Sequence, residues 1–446
     1  MLDRLKKRLK QVKQYPSVIF GITLITILII TAIVAVIVIP YEEAVLLWRG
    51  GAVWAESPRN ARPTYVDWFT SEDLPRTEII DGRDHPDKKT MESMNGVKEF
   101  EFVLPLDYQY DGFPREFNLF FEAEYEETRP HVSVKIRTPD GREFATDDFS
   151  VQRDSIRRLG QLTELRRQVD GRAPRIGIFM DPDYEDPVPL KGEYEIVVSG
   201  YLFEEDADIN VRAVSYGQVH GFGGTDHRRR DLGVALLWGT PVALMFGVLA
   251  AVGANISTFI ISAVGVWYRG LVDAAIQRIS EVNMIIPNLP LLILVGMFYS
   301  RSLWVMLGVI IVKGVFSPAI KTYRAMFLQV RESPFIEAAE SYGTSDKRII
   351  FFYMLPKIIP TLIPQFVTVI PTYVFLEASL AVLGLGDPVL PTWGKLLNDA
   401  LGEGALYMGH FYWVLQPAFL LILTGLGFAM TGFALDRVLN PRLRRQ

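Results

Sequence analysis

Two ionisable side chains, Lys313 and Glu377, interrupt runs of apolar residues long enough to cross a bilayer. A charge at that depth is costly and commonly functional. Glu377 could meet a solute amine, or hydrogen-bond a neighbouring helix near the outer end of its run. Lys313 could snorkel to an interface or pair with an acid on another chain. A third concentration of chemistry is FIEAAESYGTSDKRIIFFYMLPKIIP, residues 335–360, a polar and helix-prone insert between two such runs. Glu337 precedes the adjacent small residues Ala338 and Ala339, Gly343 breaks the helical pattern six residues after the acid, and Leu355-Pro356 closes the segment. A short helix with an Ala-Ala face can lie close against another surface, and glycine permits the bend a second short helix needs.

Several chemistries are excluded or weakly marked. The chain has no cysteine, which removes disulfides, thiolate catalysis and cysteine-ligated metals. It has no Gly-x-x-x-x-Gly-Lys-Ser/Thr phosphate loop, and its five histidines (His85, His131, His220, His227, His410) lack metal-ligand spacing. Acidic clusters at Glu124-Glu126-Glu127, Asp181–Asp186 and Glu204–Asp208 could crowd carboxylates round a calcium ion. The 181–186 segment lacks the glycine of an EF-hand loop, so the bland reading, a solvated acidic surface, is preferred and no metal site is assigned. Basic residues cluster at the ends of apolar runs rather than on a soluble face, which argues against nucleic-acid binding.

These residues need a membrane scaffold. Residues 18–40 form an apolar stretch of about 23 residues, enough for a hydrocarbon core of ~30 Å and too long for a signal-peptide core. Arg4, Lys6, Lys7, Arg8, Lys10 and Lys13 precede it, which keeps residues 1–17 in the cytoplasm. Further apolar runs at roughly 233–257, 284–299, 303–320, 361–383 and 412–434 make six crossings and return the C-terminus, with Arg437, Arg442, Arg444 and Arg445, to the same side. The middle pair is nearly fused at Ser300-Arg301-Ser302 and reads as a tight helical hairpin.

Residues 41–219 fall outside the cytoplasm by this parity and carry about fifteen more acids than bases. Phe117, Leu119, Phe121, Ala123 and Tyr125 alternate with mostly polar residues, the period of a half-buried strand. Further strands are expected at 99–105, 132–138, 175–180, 193–203 and 209–215, with a turn at Pro139-Asp140-Gly141 and one helix at about 155–169. The expected architecture is a mainly-β, sandwich or jelly-roll-like domain.

The 335–360 insert resembles the EAA loop of ATP-binding-cassette importer permeases. Other segments are similar to one branch, the C-type subunits of oligopeptide and dipeptide (and nickel) transporters. HGFGGTDHRRRDLG resembles that family's motif ahead of the second span through His220, Gly224, Thr225, Asp226, Arg230 and Asp231, with Arg229 where the family has glycine. EASLAVLGLGDPVLPTWGKLL matches at Glu377, Leu383, Gly384, Leu385, Gly386, Pro391, Trp393 and Gly394, and the tail at Leu435, Asp436, Pro441, Arg442 and Leu443. The match takes in the first span and nearly everything from residue 220 onward. Residues 41–219 fall outside it.

The resemblance implies a six-helix type I importer permease fold in a prokaryotic plasma membrane. It implies a cytoplasmic coupling loop near 321–360 in which Glu337, Ala338, Ala339, Gly343, Leu355 and Pro356 meet a separate ATPase. It also implies a homologous second permease, two ATPase subunits holding ATP and magnesium, and an extracytoplasmic binding protein. This chain itself would bind no cofactor and catalyse nothing. Thr225, Asp226, Arg230 and Asp231 would form an Asp–Arg clamp at the outer junction. Import of peptides is the expected task. Import of nickel or oligosaccharides, or a non-transporting receptor with a sensing outer domain, are the rivals.

Overall fold

Backbone polar groups have no water to bond in hydrocarbon, so apolar runs there must close their hydrogen bonds internally as helices. The computed structural model describes residues 16–86, 89–94 and 97–439. The basic residues before the first helix, and Pro441, Arg442, Leu443, Arg444 and Arg445 at the other end, lie outside them. Internal contacts divide the chain into two units, one running to Arg49 and resuming at Val234, the other Gly50–Gly233.

Among the described residues the helical unit has four helices long and apolar enough to span: Pro16–Val38, Leu232–Tyr268, Leu362–Leu385 and Phe411–Asp436. Two further pairs, Gly270–Ile285 with Asn288–Phe298 and Leu303–Val315 with Ala319–Arg331, are bent by 78° and 44° at their breaks. Length and composition therefore give four crossings, or up to six if each bent pair is one span. The second long helix has 37 residues, about 55 Å at 1.5 Å per residue, so it overshoots a ~30 Å core. Small residues let these helices approach closely. A side chain on Gly21 would stand 2.8 Å from Thr431 Oγ1, where the first and last long helices cross. The first helix is held to the second at its far end, where Trp238 Nε1 donates to the Ile39 carbonyl at 3.0 Å.

The other unit is built on two antiparallel sheets. Strands β1 (Glu78–Asp81), β4 (Glu116–Glu124), β8 (Asp154–Arg158) and β10 (Asp208–Tyr216) form one, in the order β1-β10-β4-β8. The other runs β2 (Lys89–Met94), β3 (Val97–Tyr108), β9 (Gly192–Leu202), β5 (His131–Arg137) and β6 (Glu143–Ala145), with β7 (Phe149–Ser150) also paired to β5. Alternate residues of both sheets, among them Phe102, Leu104, Phe121, Val134, Ile196 and Val211, merge into one buried core. Tyr108, Phe179 and Tyr194 pack together within it at centroid distances of 4.7 to 6.2 Å, with Phe179 and Tyr194 stacked and Tyr194 edge-on to Tyr108.

Two local expectations fail here. Residues 175–180 are not a strand; Pro174–Gly177 is a helical turn, with proline at its start, and only Met180 bridges to Pro189. The helix expected over 155–169 divides into β8, a 3-10 turn at Leu159–Gln161 and a short helix, Thr163–Gln168. Pairing of Ile156 with Phe120 across the β4–β8 ladder outweighs the helical spacing of Ile156, Leu159 and Leu162.

Candidate functional site

Ser333 and Pro334 open the helix Pro334–Ser341, with proline in the first turn where its missing N–H is no loss. Ile336 and Ala339 face inward and pack with Phe259 and Trp267 of the second long helix, Tyr323 and Phe327 of Ala319–Arg331, and Met354. Glu337 and Ala338 face outward, so the Ala-Ala pair is divided, one residue inside this chain's own core and one on the surface. Glu337 makes no side-chain hydrogen bond or ion pair among the described residues.

Gly343 ends the helix at φ +73°, where its N–H bonds the Glu340 carbonyl at 2.9 Å and the Thr344 N–H bonds the Ala339 carbonyl at 3.1 Å. Those two bonds are a Schellman cap, which needs a left-handed residue. After it, Asp346–Arg348 runs through a widened turn at Ile349–Met354 directly into the helix Leu355–Leu380. Leu355 and Pro356 are therefore the start of a long helix continuous with the second short one, not a break before it.

Sequence reasoning missed Tyr342, which is 90% exposed between Ser341 and the capping glycine. An aromatic residue immediately before a helix-ending glycine in a polar insert was the available signal. Phe335, 41% exposed with Lys357 Nζ 5.9 Å from its ring, extends the same outer surface. Around it, Arg331 donates to the Val266 carbonyl at 3.1 Å, and Arg324 grips Asp273 with Nε and Nη2 at 2.5 to 3.0 Å. The helix is thus rooted in rigid packing on one face and bare on the other.

The residues 225–231 are arranged in the opposite way. Arg230 Nε donates to Asp226 Oδ2 at 2.6 Å, and Asp226 Oδ1 accepts the backbone N–H of Arg228 and Arg230 at 2.8 and 2.9 Å. Both side chains are buried. Thr225 Oγ1 donates to the Pro58 carbonyl at 2.7 Å and accepts from the Ala61 N–H at 2.9 Å. Asp231 Oδ1 accepts the Gly233 N–H at 2.7 Å and so caps the second long helix. Burial pushes the Asp231 carboxyl up from the usual range and pushes the neighbouring His220 down.

Arg229 adopts the left-handed backbone that favours glycine, the residue the resemblance implies at this position. Its φ is +69°, a left-handed conformation costly for a side-chain-bearing residue. Compensation comes from Nη1 donating to the Ser57 carbonyl at 2.6 Å, Nη2 to Glu116 at 2.5 Å, and the guanidinium lying 4.5 Å from the Tyr216 ring.

Glu377 is 5% exposed and lies near Thr392, while its Oε1 has no partner among the described residues. Thr392 Oγ1 accepts the Lys395 N–H at 3.2 Å, capping the helix Trp393–Gly402. Trp393 Nε1 donates to the Leu236 carbonyl at 2.9 Å, and its ring occupies the space a side chain at Gly239 would fill. Among the described residues no three His, Asp or Glu side chains converge as metal ligands.

A family model described as binding-protein-dependent transport system inner membrane component matches residues 240–445. The dipeptide transport system permease protein DppC of Bacillus subtilis (strain 168) is 30% identical over 227 residues, 51% of this chain and 70% of that protein. The chain belongs to this family. The glutathione transport system permease protein GsiD of Escherichia coli O6:K15:H31 (strain 536 / UPEC) is 33% identical over 231 residues, 50% of this chain and 73% of GsiD. The oligopeptide permease OppC of B. subtilis (strain 168) is 27% identical, over 51% and 73% respectively. The protein is a multi-pass membrane transport component, and these relatives are permeases rather than sensors. The β-rich unit, Gly50–Gly233, precedes the residues the family model matches.

Proposed function

We propose that this permease forms the pathway of an ATP-driven peptide importer, with the chain crossing the membrane six times and both termini in the cytoplasm. Each bent helix pair then counts as one crossing, and the surface around Glu337 lies on the inner side with Lys347, Arg348 and Lys357. The partners are a homologous second permease, two ATPase subunits that hold ATP and magnesium, and an extracytoplasmic binding protein. Peptides are the solute because the similar permeases DppC, OppC and GsiD are named for dipeptide, oligopeptide and glutathione transport.

The observation that carries the reading is the bare outer face of Pro334–Ser341 over a fully packed inner face. Glu337 supplies an acceptor for charge-assisted bonds in an ATPase groove, Ala338 allows close approach, and Tyr342 adds an apolar contact. A push on that face passes through Ile336 and Ala339 to the second long helix and to Leu355–Leu380. Chemistry is left to the partners, because no bond is made or broken in moving a solute.

The Asp226–Arg230 clamp fixes the backbone just before the second crossing, and the β-rich unit contacts the binding protein or the second permease near the outer gate. Purification from the native membrane, with identification of co-purifying chains and solute, tests the assignment; absence of an ATPase subunit defeats it. Deleting residues 60–215 tests the outer unit. Reduced uptake and weaker association of the binding protein are expected, and unchanged values for both refute that role.

A further inference from the structure

Both bent helix pairs break against one cavity. The first pair is interrupted at Ile286-Pro287 and the second at Phe316-Ser317-Pro318. A cavity of about 280 Å³ between them is lined by Asn283, Pro287, Asn288, Lys313, Ser317 and Tyr373, among others. Asn283 Nδ2 ties the breaks together, donating to the carbonyls of Lys313 at 2.9 Å and Phe316 at 3.0 Å. Irregular backbone at membrane depth is tolerated where it is buried in protein or lines a wet cavity, so coincident breaks around one space mark a built feature.

Lys313 supplies that space with charge. Its ammonium donates to the Asn283 carbonyl at 3.0 Å, one use of three available donors. No acid of this chain lies within ion-pair distance of it among the described residues. Its depth follows from the six-crossing reading, which puts the Ser300–Ser302 turn at the outer face of the membrane. Lys313 lies ten residues beyond Leu303, where the helix begins after the Ser300–Ser302 turn, and ten residues rise about 15 Å. That is half of a ~30 Å hydrocarbon core, too deep for easy escape to either interface. A cation at the midplane without an internal counter-ion requires one from elsewhere. The ammonium borders a cavity rather than a flat lipid-facing surface, which favours a passing anion over a fixed acid on a neighbouring subunit.

We infer that Lys313 and the two helix breaks form a carboxylate subsite in the translocation pathway, where the C-terminal carboxylate of the peptide rests at mid-membrane. This rests on the peptide-import reading and adds the group by which the permease holds its solute. The cavity lies just below the roughly 300–1,000 Å³ of whole-ligand pockets, so it takes one end of an extended peptide. Asn283 holds the two breaks together and Asn288 offers a neutral polar contact beside the charge.

The test uses the assembled transporter, with its second permease, ATPases and binding protein, in proteoliposomes. Uptake of trialanine is compared with uptake of its C-terminal amide in wild type, Lys313→Met and Lys313→Arg. Comparing variants cancels whatever preference the binding protein imposes. The acid-over-amide uptake ratio is expected to fall roughly tenfold in Lys313→Met, as for the loss of one charged hydrogen bond, and to be largely kept in Lys313→Arg. An unchanged ratio in Lys313→Met overturns the subsite and leaves peptide import standing. Loss of the second permease from the purified Lys313→Met complex also overturns it, since the counter-ion is then an acid of that subunit. Uptake of neither compound by wild type defeats the peptide reading itself, and the subsite with it.

Discussion

The loop at 225–231 and the helix at 334–341 both centre on an acidic residue and treat it in opposite ways. Asp226 is fully buried with three donors on its oxygens. Glu337 stands on the surface with no side-chain partner among the described residues. A satisfied, buried charge pair holds a backbone in one shape, and breaking it harms the fold. An exposed carboxylate on a rigid helix adds little to stability alone and is available to another protein. The pair of sites therefore separates shape-keeping from coupling, and substitutions should separate them too.

The largest effects belong to coupling. Gly343→Pro is incompatible with φ +73° and removes the N–H bonded to Glu340, so the cap and the orientation of the outer face are lost together. Glu337→Lys reverses the charge on that face. Both variants are expected to reach the membrane in normal amounts and to lose ATP-coupled uptake, measured in reconstituted vesicles. Tyr342→Ala should weaken ATPase co-purification without removing it. Normal uptake by Gly343→Pro and Glu337→Lys would erase the contrast between the two sites.

Next comes Asp226→Ala, which takes from the buried Arg230 guanidinium the carboxylate it pairs with at 2.6 Å. Removing one partner of such a pair costs about 3–5 kcal/mol. The loss should appear as earlier urea unfolding of the full chain, followed by the fluorescence of the tryptophans in Gly50–Gly233. A shift as small as that of an ordinary surface substitution would show that the clamp does not hold the loop.

The sequence carried this contrast only in part. Apolar length announced the helices, but the bent pairs were hidden because most of Gly270–Ile285 and Ala319–Arg331, with Asp273, Arg278, Glu281, Lys321 and Arg324, falls outside the apolar runs. Strand periodicity located β3, β4, β5, β9 and β10, of which β3 and β5 alternate clearly in burial. It failed at Ile156, whose spacing to Leu159 and Leu162 suits a helix until a neighbouring strand offers better pairing. Glu337 and Gly343 were legible from residue types, whereas the inward turn of Ala339 and the exposure of Tyr342 depend on which helical face the surrounding core claims. Thr225, Asp226, Arg230 and Asp231 were legible as a group, but Arg229 looked like a departure. Its backbone lies in the left-handed region that favours glycine.

Arg229 allows a finer test of shape-keeping. Arg229→Ala keeps the left-handed strain and loses the Glu116, Ser57 and Tyr216 contacts, whereas Arg229→Gly loses the contacts and the strain. The glycine variant should be the more stable of the two by about 1 kcal/mol, read from the same unfolding curves. Equal stability would mean that the loop relaxes away from its left-handed turn once the arginine is gone.

Glu204 gives the smallest effect and guards against reading every surface acid as a docking group. Its carboxylate accepts the backbone N–H of Glu126, Glu127 and Thr128 at 2.5 to 2.8 Å, which holds it below the usual glutamate range. A carboxyl depressed in the folded state stabilises above the ordinary value of about 4.5, and that contribution disappears as pH falls through its folded value. Glu204→Gln should therefore unfold slightly earlier than wild type at neutral pH, with the two curves converging in acid well below pH 4.5. Uptake should be unchanged. A transport defect in this variant at neutral pH would show that a satisfied surface acid can still act as a contact, and the distinction drawn between Glu337 and the other acids would have to rest on position alone.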